Sequence, residues 1–197
     1  MDNDYFSIDA ILAENQKIQC TFKQKIPEMG HLGGGSERDI LPQSKRQIPI
    51  WLAYIIVYSD WADFDIPQPF SNKVRNALRA EPRSVRLSNL VGAGTGWYVF
   101  GKTIMDMLGD EQGIEMSEML VTTFKGRLVD VIDQAQHFAA LGPVGGSGGG
   151  GGVDSAPQMF REGLDTTERE LFVLAQESAR RMKRWYEESS GGAKRML

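Results

Sequence analysis

An abrupt change at Pro49 constrains the fold of this 197-residue chain more than any other feature. A polar N-terminal region gives way there to an aromatic and aliphatic run that ends at Tyr58. A bilayer span needs roughly 20 apolar residues, and this run is shorter and is followed at once by Asp60 and Asp63, so it predicts a core or interface element. Pro49 suits the first turn of a helix and favours an extended Ile48. We therefore predict that a strand ends and a helix begins here.

Length and composition exclude several classes of protein. The single Cys20 rules out an intrachain disulfide and a multi-cysteine zinc site, and two histidines are too few for an all-protein metal cage. The N-terminus has no basic and apolar signal sequence, which favours an intracellular, reducing compartment. Twenty-two basic residues are mixed with 26 acidic ones, for a net charge of −4, so no strongly basic face for nucleic acid is expected.

Residues 1–47 are predicted to form a small β-rich domain. Ser7 or Asp9 can cap one short helical turn. The following segment alternates polar and apolar residues from Lys17 to Ile26, which predicts a strand whose inward face carries Ile18, Cys20, Phe22 and Ile26. Such a small unit is near the lower limit for folding alone, so we expect it to pack against another part of the protein.

Residues 48–197 are predicted to form a larger helical domain, which makes the fold class α+β and mainly α. Ser71 or Asn72 caps a helix that reaches Ala80, and Ser117 begins another that continues to about Phe138. Gly142 to Gly152 reads as a flexible linker. The last helix is predicted from Ala156 to Glu188, with apolar residues at three- and four-residue steps. At 1.5 Å per residue it spans roughly 50 Å, unless its N-terminal part is frayed.

A helix of that length overhangs a domain of this size, which predicts that it packs against another chain. Apolar positions on this helix and on the helix before it are therefore candidate partner contacts, and Trp51 of the opening run is a further one. The alternative for each is a place in the chain's own core. The candidate interface residues are Trp51, Phe124, Leu128, Leu164, Leu171, Leu174 and Trp185.

No sequence motif predicts catalysis, a cofactor or a metal. The glycines from Gly92 to Gly96 resemble a dinucleotide fingerprint, but Trp97 stands where the third glycine is required. The acids after the opening run lack calcium-loop spacing, and neither His31 nor His137 has a nucleophile motif nearby. Two alternatives stay open: a nucleotide-binding enzyme that uses the glycine turn, and a single-strand DNA binder that uses the arginines around Arg79.

Blocks spread along the chain resemble, in order, the third partner-of-Sld-five family of the eukaryotic GINS complex. Each block alone is weak, whereas their ordered combination spans nearly the whole chain. The blocks are Tyr5 to Leu12, Ile48 to Ala53, Trp97 to Gly101, Thr123 to Arg127, Leu164-Asp165 and Glu168 to Phe172.

The resemblance implies a small β-rich domain followed by a helical domain. It also implies a noncatalytic, nuclear subunit of a heterotetramer with three sister GINS subunits. That tetramer would join the Mcm ring and its cell-division-cycle cofactor in the replicative CMG helicase, so contact with DNA would be indirect. No membrane role, cofactor, metal or catalytic residue is implied, and the segment from Asp60 to Pro69 does not match the family pattern.

Overall fold

A computed structural model of the chain describes residues 6–34, 36–92, 94–140 and 155–193. The predicted fold class is confirmed: a small antiparallel sheet lies in the N-terminal part, and long helices follow. The elements are α1 (Ile8–Glu14), β1 (Lys17–Phe22), β2 (Lys45–Pro49), α2 (Ile50–Tyr58), β3 (Ala62–Phe64), α3 (Asn72–Ala80), α4 (Trp97–Met107), α5 (Asp110–Ala140), α6 (Ser155–Glu162) and α7 (Thr166–Ala193).

The sheet has the order β2-β1-β3, with antiparallel pairing on both sides of β1. Ile18 pairs with Ile48 and Cys20 with Phe64. The predicted alternation is confirmed, because Ile18, Cys20, Phe22 and Ile26 are all buried on one face. The strand is shorter than predicted: it ends at Phe22, and Ile26 pairs only with Ile40 in an isolated bridge.

The predicted change from strand to helix at Pro49 is confirmed. Pro49 is the last residue of β2 and the N-cap of α2, one position before the first turn. Its fixed φ of −64° and extended ψ of 148° suit both roles. Helix α2 is apolar on all sides, and only one side faces the core. It buries Ile50, Ala53 and Ile56, so the large apolar side chains on its other sides stay in solvent.

One continuous core joins the sheet to the helices. It contains Phe22 and Ile48 from the sheet, Ile56 from α2, and Trp97 and Met116 from α4 and α5. A small β-rich unit cannot bury enough apolar surface by itself. As predicted, the β-rich unit packs against another part of the protein, and that part is the helices of the same chain.

Two predicted helix boundaries are wrong. The helix predicted from Ser117 begins at Asp110, with Gly113 inside its first turns. The single long C-terminal helix is broken into α6 and α7. The helix predicted up to Ala80 is confirmed as α3, as is the short helix capped by Ser7, whose Oγ accepts a hydrogen bond from the Ala10 amide. The predicted linker, residues 142–152, lies outside the described residues.

Candidate interaction surface

A buried ion pair fixes α7 against α5. The Arg127 guanidinium donates from Nε to Glu168 Oε1 at 2.7 Å and from Nη2 to Glu168 Oε2 at 2.9 Å. Arg127 is 0 % and Glu168 1 % exposed. Nη1 donates to the carbonyls of Pro82 and Val85, so the same side chain also holds the segment that follows α3. This two-point pairing requires the planar geometry of arginine.

Asp165 and Glu168 form a reciprocal cap at the start of α7. The Asp165 carboxylate accepts from the Thr167 amide at 3.2 Å, and Glu168 Oε2 accepts from the Asp165 amide at 3.1 Å. This is the capping-box arrangement, in which each side chain satisfies an amide that the helix leaves free. Asp165 therefore sets where α7 begins.

The Asp165 carboxylate also lies at the N-terminus of α4. Its Oδ1 accepts from the Trp97 amide at 2.5 Å. Burial raises the pKa of Asp165, although hydrogen bonds from the amides of Trp97 and Thr167 act in the opposite direction. One carboxylate thus joins the beginnings of two helices that are far apart in sequence.

Tyr98 completes the buried polar cluster. Its hydroxyl donates to Glu168 Oε1 at 2.9 Å. Burial raises the pKa of Tyr98 far above its usual range, and the neighbouring Glu168 charge adds to the effect, so the phenol stays protonated as the donor. Phe124 lies edge-on to the Tyr98 ring at 5.6 Å, and the Arg127 guanidinium lies 4.7 Å above the Phe160 ring. The polar side chains of this cluster form hydrogen bonds to one another. The cluster therefore acts as a clamp that positions the helices.

The part of α7 beyond this clamp exposes large apolar side chains. Val173, Leu174, Met182, Trp185 and Tyr186 are each at least half exposed, and Leu174 is 60 % exposed. A groove of about 670 Å³ runs between α5 and α7, and its lining includes Ile132, Ala175, Ala179, Met182 and Tyr186. We call the exposed apolar side chains of α7, together with this groove, the α7 surface. An apolar stripe that a helix leaves uncovered is typical of a docking face.

The structure places the candidate interface residues in three different environments. Leu174, Trp185 and Trp51 are largely exposed. Phe124 and Leu128 are half-buried on α5. Leu171 is also half-buried, and it packs against the small core of Val131, Phe160 and Leu164.

Leu164 does not fit its predicted role as a partner contact. It is only 2 % exposed and lies inside that small core, in the turn between α6 and α7. Its side chain packs with Val131 and Phe160. Leu164 is therefore a core residue and not a partner contact. It holds the end of α6 against α5.

Sequence reasoning missed the break that separates α6 from α7. The Gly163 amide donates to the carbonyls of Met159 and Phe160, which ends α6. A side chain at Gly163 would come within 3.0 Å of the Arg86 Cα atom, so the close approach requires glycine. The sequence does carry a signal for this break. Gly163 is followed two residues later by Asp165 and then by Glu168 in an Asp-x-x-Glu pattern, which marks a helix end and a helix start.

The structure argues against both alternative functions. The N-terminus of α4, where a phosphate would bind beside the glycine turn, already holds the Asp165 carboxylate. The arginines face acids of this chain: Arg75 Nη1 lies 2.9 Å from Glu115 Oε1, Arg79 Nη2 3.9 Å from the same oxygen, and Arg83 Nε 3.1 Å from Asp130 Oδ2. A DNA phosphate would have to draw Arg75 and Arg83 away from these acids.

Metal binding and membrane crossing find no support in the described residues. Within the ranges given above, no group of three or more His, Cys, Asp or Glu side chains is arranged to hold a metal ion. No helix in the same ranges is both long and apolar enough to cross a membrane.

Two family models match this chain. The model for the PSF3 N-terminal domain matches residues 6–58, and the model for the GINS complex protein helical bundle domain matches residues 69–187. The residues of the buried clamp all lie within the second match.

Full-length relatives carry matching names. A "DNA replication complex GINS protein psf3" from Aspergillus fumigatus is 33% identical over 187 residues, which cover 92% of this chain and 95% of the relative. The protein of that name from Phaeosphaeria nodorum is 35% identical, covering 93% of this chain and 96% of its own. The Schizosaccharomyces pombe protein is 31% identical, with 95% and 99% covered.

Proposed function

This chain belongs to the third partner-of-Sld-five family of GINS subunits, and we propose that it acts in chromosomal DNA replication as a noncatalytic scaffold. Membership in the complex makes other GINS subunits its partners. The observation that carries the proposal is the α7 surface, where Leu174, Trp185 and Tyr186 stay more than half exposed on a helix whose start is fixed by the clamp.

The clamp explains why this surface suits assembly. Arg127 and Asp165 fix the direction of α7, so its exposed side chains are presented without a large ordering cost at binding. Trp185 and Tyr186 lie edge-on to each other, with ring centroids 4.9 Å apart. Tryptophan and tyrosine are enriched among the interface residues that dominate binding energy.

We propose that the sister subunits contact Leu174 and Trp185, with Leu171, Phe124 and Leu128 supporting the same face from partly buried positions. Trp51 is proposed as a contact at a separate surface on α2. The assembled tetramer would in turn join the Mcm ring and its cell-division-cycle cofactor in the CMG helicase, in the nucleus. Its contact with DNA would be indirect, a proposal supported by the pairing of Arg75 and Arg83 with this chain's own acids.

We also propose that the chain divides into a β-rich unit and a helical unit. We propose that the division falls between residues 47 and 48, with β3 returning to pair with β1 of the β-rich unit. The two units share one core, so we expect them to unfold together.

Co-expression with the three sister subunits tests the function. We expect size-exclusion chromatography with mass analysis to show one heterotetramer. Leu174→Glu should remove this chain from the complex while leaving its helix content unchanged. Leu41→Glu is the matched control, because Leu41 is 56 % exposed against 60 % for Leu174 and lies in the β-rich unit. A monomeric wild-type chain that ignores the sister subunits would overturn the proposal.

A further inference from the structure

The outer face of α2 is apolar and aromatic yet uncovered. Trp51, Tyr54, Ile55 and Tyr58 all lie in solvent, and Tyr58 is 85 % exposed. A helix that is apolar on all sides is normally buried on all sides. This face is remote in sequence from the α7 surface and calls for its own occupant.

A small hollow at the end of this face combines aromatic rings with a carboxylate. Tyr54, Val57 and Tyr58 of α2 line it together with Asp106 and Met107 at the end of α4, and its volume is about 100 Å³. The two tyrosine rings are nearly parallel, with an interplanar angle of 7° and centroids 6.5 Å apart. The hollow therefore offers flat π faces beside a negative charge.

The electrostatics of the hollow favour a cation. It lies at the C-terminal ends of α2 and α4, where the helix dipole is negative, and neither helix has a basic residue in its last turn. Lys102 lies one turn before Asp106 on α4. Within the part of the chain that the structure describes, however, no basic nitrogen is within ion-pair distance of the Asp106 carboxylate.

Two further acids follow the C-terminal end of α2 in sequence. Asp60 follows two residues after α2, and Asp63 lies on β3. Both share the single ammonium of Lys23, at 2.5 and 3.0 Å. Two carboxylates with one positive charge leave a local negative excess just beyond the C-terminal end of α2.

We propose that this hollow receives an arginine side chain from an apolar, basic segment of a partner protein. A guanidinium is planar, so it stacks on a tyrosine face while it donates hydrogen bonds to the carboxylate. The apolar part of the same segment would cover Trp51 and Ile55. The inference rests on the proposed function only in that α2 faces a partner, and it names the chemistry of the group that the partner supplies.

Calorimetric titration of the full chain with a short amphipathic peptide that carries one arginine tests the inference. The same peptide with citrulline, which keeps the shape and loses the charge, should bind about five- to tenfold more weakly, as expected for a cation–π contact plus a partly exposed ion pair. Equal affinity for the two peptides would overturn the inference, because it would show that only the apolar face matters.

Variants of the chain locate the effect. Asp106→Asn should weaken the arginine peptide by a similar factor and leave the citrulline peptide unchanged, a coupling that a merely structural change would not produce. Asp133→Asn, at an exposed position on α5, is the control and should change neither. Loss of the arginine preference in the control, or its survival in Asp106→Asn, would contradict the assignment. Co-assembly with sister subunits is a separate readout, so failure here is distinguishable from failure of the proposed function.

Discussion

Arg127 of α5 and Glu168 of α7 form a two-point ion pair inside the protein, with both nitrogen–oxygen distances below 3.0 Å. Neither side chain reaches solvent to any useful extent. The pair therefore joins α5 to α7 through two buried charges, each of which is the other's only charged partner among the described residues.

Replacing Arg127 with methionine should destabilise the chain by about 3–5 kcal/mol, because Glu168 would keep a buried charge without its partner. Urea unfolding followed by circular dichroism measures the loss. Lys125→Met, two residues away and exposed, should change the free energy of unfolding by less than about 0.5 kcal/mol. Similar losses in the two variants would show that the pair is not the main tie between α5 and α7.

Asp165 should make the stability depend on pH. Its pKa in the folded state is raised above the ordinary value of 3.8, chiefly by burial. Between 3.8 and the raised pKa the folded state binds more protons than the unfolded state, so the free energy of unfolding falls as pH rises through that window. Asp165→Asn removes this titration.

Urea unfolding across the acidic range checks the pH dependence. The slope in that window should flatten in Asp165→Asn, and it should persist in Asp133→Asn, whose carboxylate is exposed. An unchanged slope in Asp165→Asn would show that Asp165 is not the group responsible for it.

Two leucines separate core from surface. Leu164→Ala should cost about 2–5 kcal/mol, because it leaves a cavity beside Val131 and Phe160. Leu174→Ala should cost less than about 0.5 kcal/mol in the isolated chain, since its side chain is mostly in solvent. Chemical denaturation of both variants gives the comparison, and equal costs would mean that Leu174 is covered within the chain itself.

Cys20 should be inert in the folded protein. Burial raises its pKa to about 11, so at pH 8 roughly 0.1% of the thiol is thiolate, against about a quarter for a free cysteine. Alkylation with iodoacetamide should be slow in buffer and fast in urea. Rapid labelling of the native chain would mean that the sheet opens easily.

The parts of the fold that could be predicted depend on neighbours in sequence. The alternation around Cys20 defined the buried face of β1, and Ser71 with Asn72 marked the start of α3. The end of α6 was also encoded locally, in Gly163 and the Asp165 to Glu168 cap. It was overlooked because the apolar positions on either side continue the same helical spacing across the break.

The candidate interface was harder to predict, because periodicity identifies an apolar face without saying what covers it. Leu164, Leu171 and Leu174 all fit the same stripe. The structure puts the first in the core, the second at its edge and the third in solvent. The break between α6 and α7 turns Leu164 into the small core, whereas Leu171 and Leu174 lie on α7 beyond it.

By itself the sequence determined the class of the fold, the junction at Pro49 and the family, because each follows from local patterns or ordered blocks. The tertiary structure decided which family blocks meet. Trp97, Arg127, Asp165 and Glu168 are scattered over more than 70 residues and converge on one buried cluster. Such convergence is set by long-range packing and by the need to pair every buried charge, and neither is written in the spacing of residues along the chain.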